Sequence, residues 1–195
     1  MGIAELTEVL SPLLRRHRLT VDEYYRMSEL GVLPREARTE LIEGEIIDMN
    51  SVGTRHAAAV KRLAALLADA TRGTAIVSVQ DPVRLSPHSE PEPDLALLRP
   101  RSDFYAEAHP TAADVLLIIE VADSSLEYDR CIKAPLYAQH GVVEFWLVDL
   151  EHREVRFFRQ PQGQTYADIT ASESPGRVPL LALPQVSIDL ASLFG

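Results

Sequence analysis

The sequence predicts a mixed α/β (α+β) fold, with helices inserted among antiparallel and parallel strands around one central sheet. Residues 54–71 are rich in alanine and place their apolar residues along one helical stripe. Residues 115–122 form a nearly continuous apolar run, as expected for a central strand that is covered on both faces. The 195 residues suit one domain. We expect that domain over residues 19–195, preceded by an N-terminal helical extension over residues 1–18.

The N-terminal elements follow from apolar spacing and capping residues. Thr20 and Glu23 form a capping-box pattern that predicts a short helix ending near Leu30, where Gly31 suits the C-terminal end. The other elements predicted here are a helix over 3–16 interrupted by Ser11-Pro12, two short strands within 40–49 around Gly44, and the helix over 54–71, which Thr54 can cap.

The C-terminal part of the chain is rich in predicted strands. A second helix is expected over residues 126–140, and Gly141 can terminate it. The predicted strands are 75–79, 83–85, 94–98, 114–122, 143–150, 154–158 and 165–169, followed by a proline-punctuated tail. Trp146 lies in one of these apolar strands and is expected to pack in the core.

Composition and charge exclude several classes of protein. Hydrophobic residues at 46% and charged residues at 25% exclude a disordered or fibrous chain. The single cysteine, Cys131, cannot form an internal disulfide and has no ligand partners at zinc spacing, so a reducing, cytoplasmic compartment is expected. No segment resembles a membrane span. The net charge of −10 argues against broad electrostatic capture of nucleic acid.

Two acidic residues stand out because of their positions in apolar strands. Asp94 begins one strand after Pro93, and Glu120 interrupts another near its end. If these strands pair antiparallel, one register places both carboxylates side by side on the same face. Two such carboxylates repel each other unless a proton or cation lies between them, and hard oxygen ligands suit Mg²⁺. Each acid alone also has a structural explanation, Asp94 as a turn residue and Glu120 as the point where a strand emerges into water.

A family resemblance covers about residues 19–190. The sequence resembles the Uma-type putative restriction endonucleases, a bacterial family with a restriction-endonuclease-like fold. The residues that carry it are, in order, Leu19 to Tyr25, Glu40 to Ile46, His56, Glu92-Pro93-Asp94-Leu95-Ala96, Ile119-Glu120-Val121, Tyr128 to Tyr137, and Gly141 to Asp149. The resemblance implies a central mixed sheet flanked by helices, and a divalent-metal site for phosphodiester hydrolysis.

The resemblance also assigns roles to particular residues. Asp94 and Glu120 match the metal-binding acids of the P-D…(D/E)-x-K pattern, but Ala122 occupies the position of its lysine. Lys133, on the following helix, matches the replacement lysine, and the resemblance favours this role over an ordinary surface ion pair between Asp129 and Lys133. Glu40 matches a further acid of the site. Lower-ranked members of the site are Glu43, His56 and Tyr137.

These residues lead to one main hypothesis and two alternatives. The main hypothesis is a Mg²⁺- or Mn²⁺-dependent endonuclease whose expected substrate is DNA rather than RNA, with a homodimer suggested by the resemblance. The first alternative is a catalytically inactive nuclease-fold module for binding or assembly, motivated by the lost strand lysine and the net acidity. The second is glycoside hydrolysis by a carboxylate pair, which the 6% aromatic content makes less attractive.

Overall fold

The computed structural model describes residues 16–34 and 37–194. The first described elements are helix α1 (Val21–Glu29), the hairpin strands β1 (Thr39–Ile42) and β2 (Glu45–Asp48), and the long helix α2 (Thr54–Ala70). Thr20 and Glu23 make the predicted capping box at the start of α1. The helix predicted over residues 3–16 lies outside the described residues, apart from its last residue.

A six-stranded mixed sheet forms the centre of the molecule, which confirms the predicted fold class. The strands are β3 (Ile76–Val79), β4 (Leu95–Leu98), β5 (Val115–Ala122), β6 (Glu144–Asp149), β7 (Glu154–Gln162) and β8 (Thr165–Ser172), and they lie in this order across the sheet. Strands β5 and β6 pair parallel, whereas their neighbours pair antiparallel.

The parallel pair needs a crossover, and a helical segment of three parts supplies it. Helix α3 (Leu126–Tyr128) runs into a π-helical segment (Asp129–Lys133), and helix α4 (Ala134–Gln139) continues from it. The sequence predicted one uninterrupted helix over 126–140. The π-helical turn holds one more residue than an α-helical turn, and such turns are frequent at functional sites.

Each face of the sheet carries its own apolar cluster. On one face, α2 packs through Leu63 and Leu67 against the sheet, together with residues of the C-terminal tail such as Ile188. On the other face, Ala134 and Tyr137 of the crossover pack against the sheet. Trp146 is fully buried in the first cluster, as predicted. Covering both faces explains the continuous apolar character of β5.

Gly44 is required by the hairpin that carries β1. It has φ +79° in the turn between β1 and β2, and a Cβ atom there would lie 2.6 Å from the Cβ of Arg18. The two strands pair from Thr39–Asp48 to Ile42–Glu45. The close approach of Arg18 and the left-handed backbone therefore both exclude a side chain at this position.

Three smaller predictions are corrected by the structure. Residues 83–85 do not form a strand, because Arg84 makes only an isolated bridge to Thr111. The N-cap of α2 is Gly53 rather than Thr54, which is its first helical residue. The tail contains an unpredicted antiparallel pair, β9 (Arg177–Pro179) with β10 (Ser187–Asp189). None of the helices in the described ranges has the length and apolar character that crossing a bilayer demands.

Candidate active site

A cavity of about 430 Å³ opens beside the adjoining ends of β4 and β5. Its walls come from the β1–β2 hairpin, the N-terminal turn of α2, the loop after β5 and the π-helical segment. Glu40, His56, Asp94, Glu120 and Lys133 all line it. Five separate segments of the chain therefore bring these predicted polar residues to one place.

Asp94 and Glu120 meet because β4 and β5 pair antiparallel, with Leu95 opposite Ile119. The backbone N–H of Asp94 donates to Glu120 Oε2 at 3.3 Å, and the N–H of Val121 donates to Asp94 Oδ2 at 2.9 Å. Side chains two residues away, Ala96 and Ile118, belong to the same apolar cluster, so both acids lie on one face of the sheet. The sequence allows this antiparallel pairing without requiring it, and this register is one of those that it permits.

Lys133 lies between two buried carboxylates. Its Nζ is 3.0 Å from Glu120 Oε1 and 3.2 Å from Glu40 Oε2, and its side chain is only 5% exposed. Burial opposes the charge on Lys133, but the neighbouring carboxylates outweigh this and raise the pKa of the ammonium. Burial acts to raise the pKa of Glu120, and the attraction of Lys133 opposes this shift. The surface ion pair offered as an alternative for Lys133 is therefore wrong.

Two tyrosines complete the hydrogen bonding of the buried acids. The Tyr137 hydroxyl donates to Glu120 Oε1 at 2.6 Å, and Tyr128 donates to Glu40 Oε1 at 3.0 Å. The backbone N–H of Glu92 donates to the other oxygen of Glu40 at 3.1 Å. These contacts fix the directions in which the carboxylate oxygens point, because each acceptor has a donor from a packed element.

His56 contacts Asp94 directly. Its Nε2 lies 2.8 Å from Asp94 Oδ2, and this hydrogen bond, with the nearby negative charge, raises the pKa of the imidazole despite its partial burial. The other ring nitrogen, Nδ1, is buried and has no hydrogen-bond partner among the described residues. His56 therefore faces the cavity rather than the solvent around the helix start.

Glu43 is the predicted site residue that lies elsewhere. It occupies the hairpin turn with φ +51°, and its carboxylate contacts Arg18 at 2.9 Å and Ser89 at 3.4 Å. It does not line the cavity. Glu40 is three residues earlier, on the buried strand β1, and is the acid that this hairpin turns towards Lys133.

Several cavity residues were missed by sequence reasoning. Asp129 is buried and accepts a hydrogen bond from Ser125 at 2.6 Å, and Gln80 Nε2 lies 3.2 Å from Asp94 Oδ1. Glu92 is half-buried, which raises its pKa. Its position two residues before Asp94 was a usable signal, because alternate residues of an extended segment share a face. Arg38 also lines the cavity and left no signal in the sequence.

The loosely held oxygens suit a hard divalent cation. Asp94 Oδ1 and Glu120 Oε2 have only the long contacts of 3.2 and 3.3 Å described above. Over residues 16–34 and 37–194, no three acidic, histidine or cysteine side chains converge tightly enough to hold a metal by themselves. Mg²⁺ commonly takes one or two carboxylates and completes its coordination with water and substrate phosphate. The donor set therefore fits Mg²⁺ or Mn²⁺ through Asp94 and Glu120.

The fold and the acidic residues at the ends of β4 and β5 define a restriction-endonuclease-like protein. The family model of Uma2, described as "Putative restriction endonuclease", matches residues 21–191, and the chain belongs to this family. A solved structure from Anabaena variabilis ATCC 29413, titled as a putative nuclease belonging to DUF820, is similar to it. That structure has a TM-score of 0.71 and 21% identity over 90% of this chain and 97% of the other. A search of curated proteins finds no match.

Proposed function

We propose that this protein is a metal-dependent endonuclease that hydrolyses phosphodiester bonds, with DNA as the expected substrate and Mg²⁺ or Mn²⁺ held by Asp94 and Glu120. One observation carries the proposal: two carboxylates meet on adjacent strands, beside a buried ammonium group, in a cavity. A metal bound there would polarise a phosphoryl oxygen and lower the pKa of a bound water. Membership of a family described as putative restriction endonucleases supports the same class of reaction.

The chain's own residues would position and stabilise the reacting groups. The Lys133 ammonium offers positive charge where negative charge develops on the phosphate in the transition state. Glu40 holds that ammonium from the opposite side, while Tyr137 and His56 orient the carboxylates of Glu120 and Asp94. In the P-D…(D/E)-x-K pattern, a strand lysine at the position of residue 122 supplies this positive charge. Lys133 would supply it from the crossover instead.

A nuclease assay tests the proposal. Purified full-length protein should nick or cut plasmid DNA in the presence of Mg²⁺ or Mn²⁺, and Asp94→Asn or Glu120→Gln should abolish this cleavage. Asp69→Asn is a matched control, because Asp69 is an exposed acid on α2 that pairs only with Arg72 among the described residues. Cleavage that persists in both site variants would contradict the proposed roles of Asp94 and Glu120.

The second candidate is a nuclease-fold module that binds or assembles without catalysis. Two observations favour it: Lys133 already forms ion pairs with both Glu120 and Glu40, and His56 already contacts Asp94. Calorimetric titration with Mn²⁺ separates the two candidates: binding that disappears in Asp94→Asn supports the metal site. Absence of binding, together with inert DNA assays, would support the module. The homodimer implied by the resemblance stays a prediction, which sedimentation velocity can test.

A further inference from the structure

The proposed reacting groups lie inside the cavity rather than on an open surface. The side chains of Glu120 and Lys133 are 4% and 5% exposed, and those of His56 and Asp94 are each 14% exposed. The cavity volume of about 430 Å³ is in the lower part of the range for small-molecule sites. A phosphate must therefore enter the cavity in order to reach Lys133.

An intact duplex is a poor fit to such a cavity. Its phosphates lie along a wide, stiff cylinder, and each paired nucleotide is held by stacking and by its complement. Enzymes that do chemistry on a base inside a pocket either extrude the nucleotide from the duplex or use a strand that is already unpaired. We extend the same requirement to a backbone phosphate that must enter this cavity. Extrusion needs contacts that hold the rest of the duplex, and such contacts come mainly from Lys and Arg on its phosphates.

The rim of the cavity offers few such contacts. Its lining includes seven carboxylates, and Arg38 is the only exposed cation that lines it among the residues described. Arg55, at the start of α2, is already paired with Asp123 at 3.3 Å. Arg38 forms no ion pair within 4 Å with a described residue, and the described carboxylate on which its charge chiefly acts is Glu92, which lines the same cavity. A phosphate in the cavity would compete with Glu92 for its guanidinium. This arrangement can hold one or two phosphates of a flexible strand, not the backbone of a duplex along its length.

We propose that the substrate is an unpaired, single-stranded segment of nucleic acid, whose scissile phosphate enters the cavity while a neighbouring phosphate binds Arg38. This inference rests on the proposed nuclease function and specifies its substrate. It assigns Arg38 as a substrate-binding residue outside the metal site. The low number of contacts also predicts binding that depends only weakly on salt.

A cleavage comparison tests the substrate class. The full-length protein with Mn²⁺ is given one labelled oligonucleotide sequence as a single strand and as a duplex closed by hairpin loops at both ends. We expect the single strand and the loops to be cut, and the paired region to be cut at least about tenfold more slowly, because unpairing must precede entry. Equal cutting of the paired region would overturn this inference and leave the nuclease function intact. No cleavage of either substrate would overturn both.

Arg38 variants test the binding role independently. Arg38→Ala should raise KM for the single strand about tenfold with little change in kcat, and Arg38→Lys should recover part of the loss, since a phosphate contact is uniform binding. Arg72→Ala, in the turn that follows α2, is the control and should behave as the wild type. The salt dependence of binding is a second measurement. For one or two phosphate contacts, a plot of the logarithm of the association constant against the logarithm of the salt concentration should have a slope of about −0.7 to −1.4. A slope steeper than about −4, or an unchanged KM in Arg38→Ala, would overturn the proposal.

Discussion

Lys133 supports both the structure and the proposed chemistry with a single ammonium group. It contacts Glu120 and Glu40, which are 3% and 2% exposed. Because water does not reach these groups, each charge is compensated mainly by its charged neighbours. Breaking a buried ion pair by removing one partner is costly, because an uncompensated charge stays buried. The loss of this lysine therefore affects folding as well as catalysis, and the two effects need separate measurements.

Replacing Lys133 alone should destabilise the protein strongly. Lys133→Met leaves two buried carboxylates without their cation, and we expect the free energy of unfolding in urea to fall by about 3–5 kcal/mol. The triple variant Lys133→Met, Glu40→Gln, Glu120→Gln removes all three charges and should recover most of this stability while staying inactive. Wild-type stability in Lys133→Met would show that the ammonium does not hold these acids.

Glu40 and Glu43 form a matched pair of variants within one hairpin. Glu40→Gln weakens the contact that holds Lys133 in place, and a hydrogen bond to a charged group contributes about 1.5–3 kcal/mol, so we expect metal-dependent cleavage to fall about tenfold to a hundredfold. Glu43→Gln only changes contacts with Arg18 and Ser89 outside the cavity, so its cleavage rate should be close to that of the wild type. Equal losses in the two variants would contradict the assignment of Glu40 to the site.

At the scale of elements, the β1–β2 hairpin positions Glu40, and Gly44 permits its turn. Gly44→Ala and Gly73→Ala both place a side chain on a left-handed backbone, with φ near +79° and +78°, which costs about 1–2 kcal/mol. Only Gly44→Ala also brings the new Cβ against Arg18, whereas nothing lies within 4 Å at Gly73. Denaturant unfolding should therefore show a larger loss for Gly44→Ala, with reduced cleavage in that variant alone. Equal losses would show that Arg18 moves away freely.

The turn between β6 and β7 contains a pH-sensitive contact whose residues do not line the cavity. Asp149 accepts hydrogen bonds from the backbone N–H groups of Glu151 and His152, and His152 Nδ1 lies 2.8 Å from its Oδ2. Burial acts to raise the pKa of Asp149, but the bonds from His152 outweigh it and lower that pKa. The bond to Asp149 raises the pKa of His152 in the folded state.

The contribution of His152 to stability should therefore decrease as the pH rises. When folding raises the pKa of a group, that group contributes its full stabilisation of the folded protein at pH values below its pKa in the unfolded chain. The contribution is lost as the pH rises through its pKa in the folded protein. The difference in urea midpoint between wild type and His152→Gln should be larger at about pH 5 than at about pH 9. When Asp149→Asn is present in both proteins, the difference in urea midpoint caused by His152→Gln should no longer depend on pH. A pH-independent difference in the wild-type background would contradict the contact.

The elements differ in how far the sequence could predict them. The antiparallel pairing that joins Asp94 to Glu120 could be considered from the sequence as one possible arrangement, because strand alternation allows both acids to share a face, but the apolar runs alone did not select the register. The π-helical turn could not be predicted, since the contacts that Lys133 makes from it are with Glu120 and Glu40, which are distant in the sequence. The same is true of Arg38 and Gln80, whose roles depend on the cavity that the assembled fold creates.

At the scale of the whole molecule, the net charge of −10 is concentrated in part around the cavity. Bound cations would offset carboxylates that the formal count treats as free. The acidity is therefore compatible with a nuclease that acts on a short, unpaired part of its substrate. It disfavours a protein that grips a long duplex through its surface charge.

Metal binding should stabilise the native protein. At a Mg²⁺ or Mn²⁺ concentration about 100 times Kd, a ligand bound only by the folded state adds about 2.7 kcal/mol. For a chain of this size, that should raise Tm by about 5–11 °C in a thermal melt. The reference sample contains KCl at equal ionic strength, and Asp94→Asn should show no specific rise. An identical rise in Asp94→Asn would indicate general screening of the acidic surface rather than a site.

The parallel pairing of β5 with β6 has a consequence for the order in which parts of the chain fold during synthesis. The three acids, Glu40, Asp94 and Glu120, leave the ribosome before Lys133, and the crossover that carries Lys133 can dock only when β6 follows it. Until Lys133 is in place, no cation is available to compensate the three acids on burial. The acids are therefore more stable in contact with water than buried. We therefore expect the central sheet to close cooperatively and late, so that a nascent chain ending before residue 126 stays sensitive to protease.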